Sequence, residues 1–311
     1  MPELQIQPFA AEHLEGAAEL LEQRHRRHRE AEPLLGDGYD FRAEIEALED
    51  PSGVAGVRDG RVVGFLLGIR KDDARWGPNV WVEAAGQAVE EAEEIRDLYA
   101  TAAARWFEEG RTRHYVLAPA SDAALLDAWA RLSFGQQHAH GIRDVPETPW
   151  PDGVRLATED DIDALVDLSP LLVEHQAQAP VFGIGLPRES EEEIRTSILE
   201  DLPNPKIGDL IAEQNGRVVG AFQLAAVELS SSHTSLARPE GSVLLSWAAT
   251  RPGVRGSGAG LALMDASLAW AHQQGYETMV TDWRETNLLS SRFWPKRGFR
   301  RSFLRVYRSI P

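Results

Sequence analysis

Residues 250–264 read TRPGVRGSGAGLALM, and four glycines fall within eight residues just before a segment with helical periodicity. Glycine allows positive φ angles and lets the backbone approach another group without a Cβ in between. The first amides of a helix have no intrahelical acceptor, and the helix dipole places partial positive charge there. The stretch therefore predicts an anion site, most simply for a phosphate, where a helix begins.

Three phosphate-binding chemistries share this geometry. A P-loop requires a lysine after its last glycine, and no lysine occurs between residues 250 and 264. A dinucleotide fingerprint reads G-x-G-x-x-G with an acid about 20 residues later. The chain has G-x-G-x-G from Gly256 to Gly260, with Asp282 at a suitable distance. Only about 50 residues follow the turn, too few to complete a dinucleotide-binding domain.

The third chemistry fits the residues better. The stretch resembles the acetyl-coenzyme A loop of the GNAT acyltransferases, whose pattern is approximately V-x-P-x-x-R-G-x-G-x-G/A. Pro252 and the glycines match, and Thr250 replaces valine. The resemblance implies that loop amides hold the coenzyme A pyrophosphate and that an amide of the preceding strand, SVLLSWAAT, polarises the thioester carbonyl. The implied contacts are Ala248, Ala249, Thr250, Val254, Arg255, Gly256, Ser257, Gly258, Ala259 and Gly260.

A second motif follows at the expected distance. NLLSSRFWPKRGF, residues 287–299, resembles the family's N-x-x-A-x-x-x-Y-x-x-x-G-F, and Asn287 and Ser290 extend the implied cofactor site. Trp294 stands where the family has a tyrosine that often protonates the leaving thiolate. An indole N–H donates a hydrogen bond but releases no proton near neutral pH. We therefore expect Trp294 to cover the thioester end of the pantetheine arm, with another group or solvent as the acid.

The chain contains an internal repeat. VRDGRVVGFLLGI at 57–69 and AEQNGRVVGAFQLAA at 212–226 each read as two strands joined by a tight Asp-Gly or Asn-Gly turn. Two hairpins that share GRVVG indicate a duplicated unit. The proline-rich segment DVPETPWPDG, residues 144–153, separates the halves. We predict two α/β domains of GNAT fold, 1–147 and 148–311, each a mixed, mostly antiparallel sheet flanked by helices.

The first domain lacks the glycine loop. At the equivalent place it has four acids, Glu90, Glu91, Glu93 and Glu94. They either repel phosphate or complement the dipole of a helix start, and both interpretations exclude pyrophosphate. The domain resembles a degenerate GNAT fold that shapes the acceptor cleft or supports the second domain. Its basic run RHRRHRE, residues 24–30, is predicted to form a solvated helix face.

Composition restricts the possible partners. The net charge of −17 disfavours nucleic acid, because nucleic-acid affinity rests on Lys and Arg contacts to phosphate. No cysteine is present, so disulfides and cysteine-based zinc sites are excluded, and we expect no metal. The sequence shows no signal peptide and no apolar run long enough to span a membrane, which predicts a cytoplasmic protein without membrane contact. We expect a monomer or homodimer.

The resemblance implies an acetyl-coenzyme A-dependent N-acetyltransferase that transfers an acyl group directly to the amine of a small molecule or peptide. The amine must lose a proton, and the sequence offers Asp282, Glu228 and His233 as candidate bases. The alternative is a non-catalytic protein of GNAT fold that binds or senses acyl-coenzyme A. The tryptophan at position 294 favours this alternative slightly.

Overall fold

A computed structural model of the chain describes residues 3–73, 77–183, 190–230, 233–254 and 256–311. The chain forms two compact units. The first comprises Met1–His140, Thr234–Arg238 and Arg301–Pro311, and the second comprises Gly141–His233 and Pro239–Arg300. None of the helices that the structure describes combines the length and apolarity needed to cross a membrane.

The first unit is a mixed sheet with strand order β1-β2-β3-β4-β6-β13, and β5 also pairs with β3. Its elements are β1 Gln5–Pro8, α1 Leu14–Ala31, α2 Phe41–Glu46, β2 Pro51–Arg58, β3 Arg61–Asp73, β4 Gly77–Val82, β5 Gln87–Val89, α3 Glu94–Glu108, β6 Arg113–Pro119, α4 Ala123–Arg131 and the start of β7 Gly135–Asp144, with β13 Arg300–Ser309 from the end of the chain. Among the pairings that the structure describes in this unit, only that of β4 with β6 is parallel. The core lies under α3 and α4 and is rich in aromatic side chains, including Trp106 and Trp129.

The second unit repeats this plan with strand order β7-β12-β11-β10-β9-β8, of which it includes only residues 141–144 of β7. Its elements are β8 Val154–Leu156, α5 Ile162–Leu168, α6 Pro170–Ala177, α7 Glu191–Asp201, β9 Ile207–Gln214, β10 Arg217–Ala226, β11 Val243–Thr250, α8 Ala259–Gln273, β12 Thr278–Arg284 and α9 Ser290–Lys296. One face of the sheet packs against α5, where Leu165 and Leu168 meet Ile211 and Ala221. The predicted fold class, a mixed and mostly antiparallel sheet flanked by helices in each unit, is confirmed.

Both predicted hairpins form with the expected turns. Asp59 and Gly60 have φ angles of 53° and 75°, and Asn215 and Gly216 have φ angles of 53° and 72°. Two consecutive positive φ angles define a type I′ turn, whose twist matches that of the flanking strands. The hairpins place β2 beside β3 and β9 beside β10.

The compact units divide the chain differently from the predicted boundary at 147/148. The first unit ends its main segment at His140, and it also contains Arg301–Pro311. The reason is strand pairing: β13 runs antiparallel to β6, from Phe303 opposite Pro119 to Ser309 opposite Arg113. The strand that ends the second half of the sequence therefore completes the sheet of the first unit.

Candidate functional site

The two parallel strands of the second unit separate shortly after they begin. The described ladder between β11 and β12 joins Val243 to Met279 and Leu244 to Val280. One further contact follows, in which the Thr281 hydroxyl donates to the Leu245 carbonyl at 2.9 Å. Beyond it, β11 continues to Thr250 and β12 to Arg284 without a described ladder between them. A gap therefore opens between neighbouring strands in the middle of the sheet.

Backbone groups of β11 line this gap. β11 pairs with β10 on its other side, and the Arg251 amide donates to the Val219 carbonyl at 2.8 Å. Residues of an antiparallel strand point their amides alternately toward and away from the partner strand. Counting back from Arg251, the amide of Ala249 points to β10, whereas the amides of Ala248 and Thr250 point to the gap. Two of the three predicted carbonyl-polarising amides are thus directed where an acyl group could reach them.

The glycine stretch forms a turn that leads into α8. Pro252–Val254 is a single 3-10 turn, the Ser257 amide donates to the Val254 carbonyl at 3.0 Å, and Gly258 caps the helix. Gly256 and Gly258 have φ angles of 87° and 95°, which other residues adopt only with strain. Apart from the chain neighbours, a Cβ at either position would meet no atom of the described residues within 4 Å. Arg255 lies outside the described residues.

This helix start fits an anion. No described residue accepts a hydrogen bond from the amides of Gly258, Ala259 or Gly260. The first turn of α8 contains no acidic residue that could compete for those amides. Ser257, beside them, accepts a hydrogen bond from the Gln214 side chain at 2.9 Å. Amides, dipole and open space together suit a pyrophosphate.

The second motif builds the start of α9. Asn287 is buried, and its side-chain oxygen accepts hydrogen bonds from the amides of Leu289 and Ser290 at 3.0 and 3.3 Å. His175 Nε2 lies 3.2 Å from the same oxygen. The Ser290 hydroxyl oxygen is buried and has no hydrogen-bond partner among the described residues. The Asn287 side chain thus holds the turn that leads into α9, and its predicted contact with coenzyme A stays a prediction.

Trp294 lies inside an aromatic cluster. It is 6% exposed, and its ring centroid lies 5.8 Å from that of Phe222, 4.9 Å from that of Phe293 and 5.6 Å from that of Phe299. Phe222 sits opposite Ala248 in the ladder between β10 and β11. The indole therefore packs one strand away from a residue that lines the gap. This position supports an apolar role, and the covering of the thioester stays a prediction.

The three predicted bases lie in different places. Asp282 is exposed on β12, directly after the residue that makes the last contact with β11. Glu228 is exposed in a 3-10 turn after β10, near Val243, so the length of β11 separates it from Thr250. His233 is fully buried, and its amide donates to the Ser230 hydroxyl at 3.1 Å. Only Asp282 is brought to the gap.

Polar residues that the sequence did not single out lie on β9 and β10, the two strands that follow β11 in the sheet on the side away from the gap. Asp209 on β9 and Gln223 on β10 are direct partners in the ladder, and Gln223 is also opposite Trp247. The Ser246 hydroxyl donates to the Gln223 side-chain oxygen at 3.0 Å, at a bulge between β10 and β11. The available signal was an aspartate in IGDLIAEQ and a glutamine in RVVGAFQLAA, each a polar interruption of an apolar strand. No group of three metal-ligating side chains occurs among the described residues.

The first unit has acids at the equivalent helix start. Glu94 accepts a hydrogen bond from the Glu91 amide at 3.3 Å and pairs with Arg58 at 2.6 Å. Glu90 pairs with Arg61, which holds the pKa of that carboxyl below its ordinary value. Glu93 pairs with Arg131 at 2.5 Å. The chain's own carboxylates thus occupy the start of α3.

Side chains also fill the equivalent strand gap. β4 and β6 separate after Val82 and Val116, and Gln87 reaches across to donate to the Leu117 carbonyl at 2.9 Å. Arg24 donates to the Gln87 carbonyl and, at 2.6 Å, to the Ala84 carbonyl. Arg24 is 3% exposed, and His25 and His28 are buried beside it. The prediction of a solvated face for residues 24–30 is therefore wrong at these three positions, because they lie on the face of α1 that already buries Leu21.

The comparisons agree with this geometry. Residues 174–299 match the family model described as the acetyltransferase (GNAT) family. The structure is similar over 98% of the chain to a GCN5-related N-acetyltransferase from Sphaerobacter thermophilus, with 95% of that chain covered, 12% identity and a TM-score of 0.61. No curated protein gives a significant match to the sequence.

A tandem GNAT protein from the clavulanic acid biosynthesis pathway is similar over 99% of both chains, with 16% identity and a TM-score of 0.50. A GCN5-related glucosamine N-acetyltransferase region of a fungal multi-domain β-N-acetylglucosaminidase matches 99% of this chain and 38% of that one, with 12% identity and a TM-score of 0.54. Residues 174–299 therefore match the GNAT acetyltransferase family, and the chain as a whole has the GNAT acetyltransferase fold. More particularly, its two units have the two-domain GNAT fold.

Proposed function

We propose that the chain is an acetyl-coenzyme A-dependent N-acetyltransferase that transfers the acyl group directly to an amine, with its site in the second unit. The observation that carries this proposal is the gap between β11 and β12, because it opens toward a helix start that offers free amides to a pyrophosphate. A bound thioester supplies an activated carbonyl carbon, and the residues of the chain have to align it and polarise it.

Each part of the site has a role in this proposal. The turn from Val254 to Gly260, which includes Arg255, holds the pyrophosphate. The amides of Ala248 and Thr250 donate to the thioester oxygen, and Ala249 fixes their direction through its own pairing with β10. Asn287 and Ser290 position α9, and Trp294 covers the thioester. The amine nitrogen bonds to the carbonyl carbon, the carbon–sulfur bond breaks, and solvent protonates the thiolate.

The acceptor is an amine of a small molecule or a peptide. The chain carries a net charge of −17, and the exposed carboxylate of Asp282 lies at the gap, so a cationic acceptor is favoured electrostatically. One coenzyme A binds per chain, because the first unit has acids and an arginine where the second has free amides and a gap. A cytoplasmic location remains our prediction.

Thiol release measures the proposed activity. The full chain is incubated with acetyl-coenzyme A and a panel of amines, and free thiol is followed with and without each amine. Amine-dependent release that is lost in Gly258→Glu supports the proposal. Saturable binding of acetyl-coenzyme A in calorimetry without thiol release for any amine instead supports the sensing alternative, which the tryptophan at position 294 favours. Absence of both binding and release refutes both functions.

A further inference from the structure

Residues on four neighbouring strands share one face of the second unit's sheet. Directly opposed residues in a ladder point to the same side, and residues two apart on a strand do so as well. Asp209, Gln223 and Trp247 are consecutive partners across β9, β10 and β11. Leu244 and Ala225 are partners on the same face, and Leu244 is the neighbour of Val280 on β12. Asp282, two residues after Val280, therefore points to the same side as Asp209.

This face is open to solvent at that level. Ser246 and Asp282 are exposed although β11 and β12 are inner strands of the sheet. Further along the same face, Ile211 and Ala221 are buried against α5. Among the residues that the structure describes, the helices thus bury Ile211 and Ala221, whereas Ser246 and Asp282 stay exposed. An acceptor has access to the gap from this side.

Asp209 is the partly buried acid of this open region. Its desolvation raises its pKa to about 6, the nearby charge of Asp201 adds to the rise, and a hydrogen bond from Gln223 opposes it. Gln223 is held in place, because its amide nitrogen donates to Asp201 at 3.1 Å while its oxygen accepts from Ser246. A carboxylate with this pKa is charged at neutral pH and is a stronger base than an exposed aspartate.

The other charged groups around Asp209 come from three elements. Asp201 and its neighbour Glu200 lie on α7, and Asp282 lies on β12. Arg155 lies on β8 opposite Ile211, and it is bound by two carboxylates, those of Asp161 at 2.7 Å and Glu213 at 2.6 Å. Arg155, the cation on the adjacent strand β8, is therefore paired with other acids, and the nearby charge that acts on Asp209 is the negative charge of Asp201.

We propose that Asp209 is the general base of the acyl transfer and that Gln223 positions it; this rests on the proposed N-acetyltransferase function. The amine nitrogen forms a bond to the thioester carbonyl carbon, and the carbon–sulfur bond breaks with its electron pair on sulfur. The proton lost by nitrogen passes to the Asp209 carboxylate and then to solvent. β9 lies about 10 Å from β11 and the gap lies on the far side of β11, so the proton crosses through a chain of waters over the open sheet face.

The pH dependence of kcat/KM separates Asp209 from Asp282. The acceptor used in this assay is an amine with a pKa above 9. Its deprotonation therefore adds a slope of about 1 to log(kcat/KM) at every pH from 5 to 8. In the wild-type chain the slope of log(kcat/KM) against pH falls from about 2 to about 1 near pH 6. In Asp209→Asn the slope is about 1 throughout, and the rate at pH 7.5 falls by about 100-fold or more. Asp209→Glu restores the change of slope.

Two controls test whether the loss of rate in Asp209→Asn has a cause other than loss of the base. Acetyl-coenzyme A affinity, measured by calorimetry on the full chain, stays within about threefold of wild type in Asp209→Asn, because the base does not touch the coenzyme. Asp152→Asn, an exposed aspartate in the turn before β8, is the matched control and keeps the wild-type profile. Circular dichroism verifies that each variant is folded.

The outcomes are distinct. A wild-type chain that releases no thiol with any amine overturns the proposed function and the base together. A wild-type chain that is active while Asp209→Asn keeps both the rate and the change of slope overturns only the assignment of the base. If the change of slope persists in Asp209→Asn and disappears in Asp282→Asn, the base is Asp282.

Discussion

Substitution of Gly258 by glutamate tests the anion site directly. Gly258 has a φ angle of 95° and a ψ angle of −11°, and a Cβ there meets no atom of the described residues within 4 Å beyond its chain neighbours. The new side chain therefore enters open space next to the amides that we assign to the pyrophosphate. The backbone angle alone costs a residue other than glycine about 1–2 kcal/mol. That cost reduces the free energy of unfolding but does not repel a ligand.

The charge supplies the larger effect on binding. A carboxylate about 5 Å from a phosphate oxygen, at an effective dielectric constant of about 20, is repelled by about 3 kcal/mol. Since about 1.4 kcal/mol corresponds to a tenfold change in affinity, we expect Gly258→Glu to weaken coenzyme A binding by roughly 100-fold. The repulsion decreases with salt, so the loss is larger at low ionic strength.

Two matched variants separate strain from charge in calorimetric titrations of the full chain. Gly258→Ala carries the backbone strain without charge, and we expect its affinity to fall less than about tenfold. Gly258→Lys carries the strain and a longer side chain of opposite charge, and it should bind far better than the glutamate variant. Equal affinities for the glutamate and lysine variants, or a glutamate variant within a few-fold of wild type, would refute the assignment of this turn to the pyrophosphate.

Three further predictions follow from the packing. We expect calorimetry of the full chain to give one coenzyme A per chain. A second site of similar affinity would contradict the conclusion that Arg24 and Gln87 fill the gap between β4 and β6. Trp294→Ala lowers the free energy of unfolding by about 3–5 kcal/mol and abolishes most activity, whereas Trp294→Phe keeps most of its kcat; a 10- to 100-fold loss in the phenylalanine variant assigns the role to the N–H instead. Burial lowers the pKa of His28 to about 3 from 6.5, so the unfolded chain binds more protons below pH 6.5 and stability falls as the pH drops toward 3. Urea unfolding at pH 7 and pH 5 shows a smaller fall for His28→Gln, and an equal fall excludes His28 as its source.

The structural features that the sequence predicts well are those that depend on neighbouring residues alone. Asn215-Gly216 adopts two positive φ angles because those residues tolerate them, and the same requirement fixes the glycines at 256 and 258. Each of these features is set by neighbours in the sequence. The hairpins and the turn before α8 could therefore be predicted without knowledge of the rest of the molecule.

Features that depend on distant partners could not be predicted in this way. Residues 300–309 read as a strand, but no local signal shows that their partner is β6 rather than a strand of the same half. The pairing of Asp209 with Gln223 depends on the register of a hairpin, and a shift of one residue would turn both side chains to the other face.

The burial of Arg24 is a different case, because a signal existed. Ala17, Leu21, Arg24 and His28 follow the three- and four-residue spacing of one helix face. The charge of the run RHRRHRE suggested solvent, whereas the spacing indicated burial. Arg24 is buried, as the spacing indicates, because the carbonyls of Gln87 and Ala84 accept hydrogen bonds from its guanidinium.

The first unit has the same kind of sheet as the second but differs from it in two independent places, at the start of α3 and between β4 and β6. Carboxylates at the start of α3 repel phosphate, and their replacement by glycine would remove that repulsion. Arg24 and Gln87 would still span the gap between β4 and β6, and both are anchored to backbone carbonyls there. Removal of either side chain leaves buried carbonyls without donors, which costs about 1–3 kcal/mol for each group. The filled gap is therefore part of what stabilises the first unit, and binding of coenzyme A there would require the unit to give up that stability.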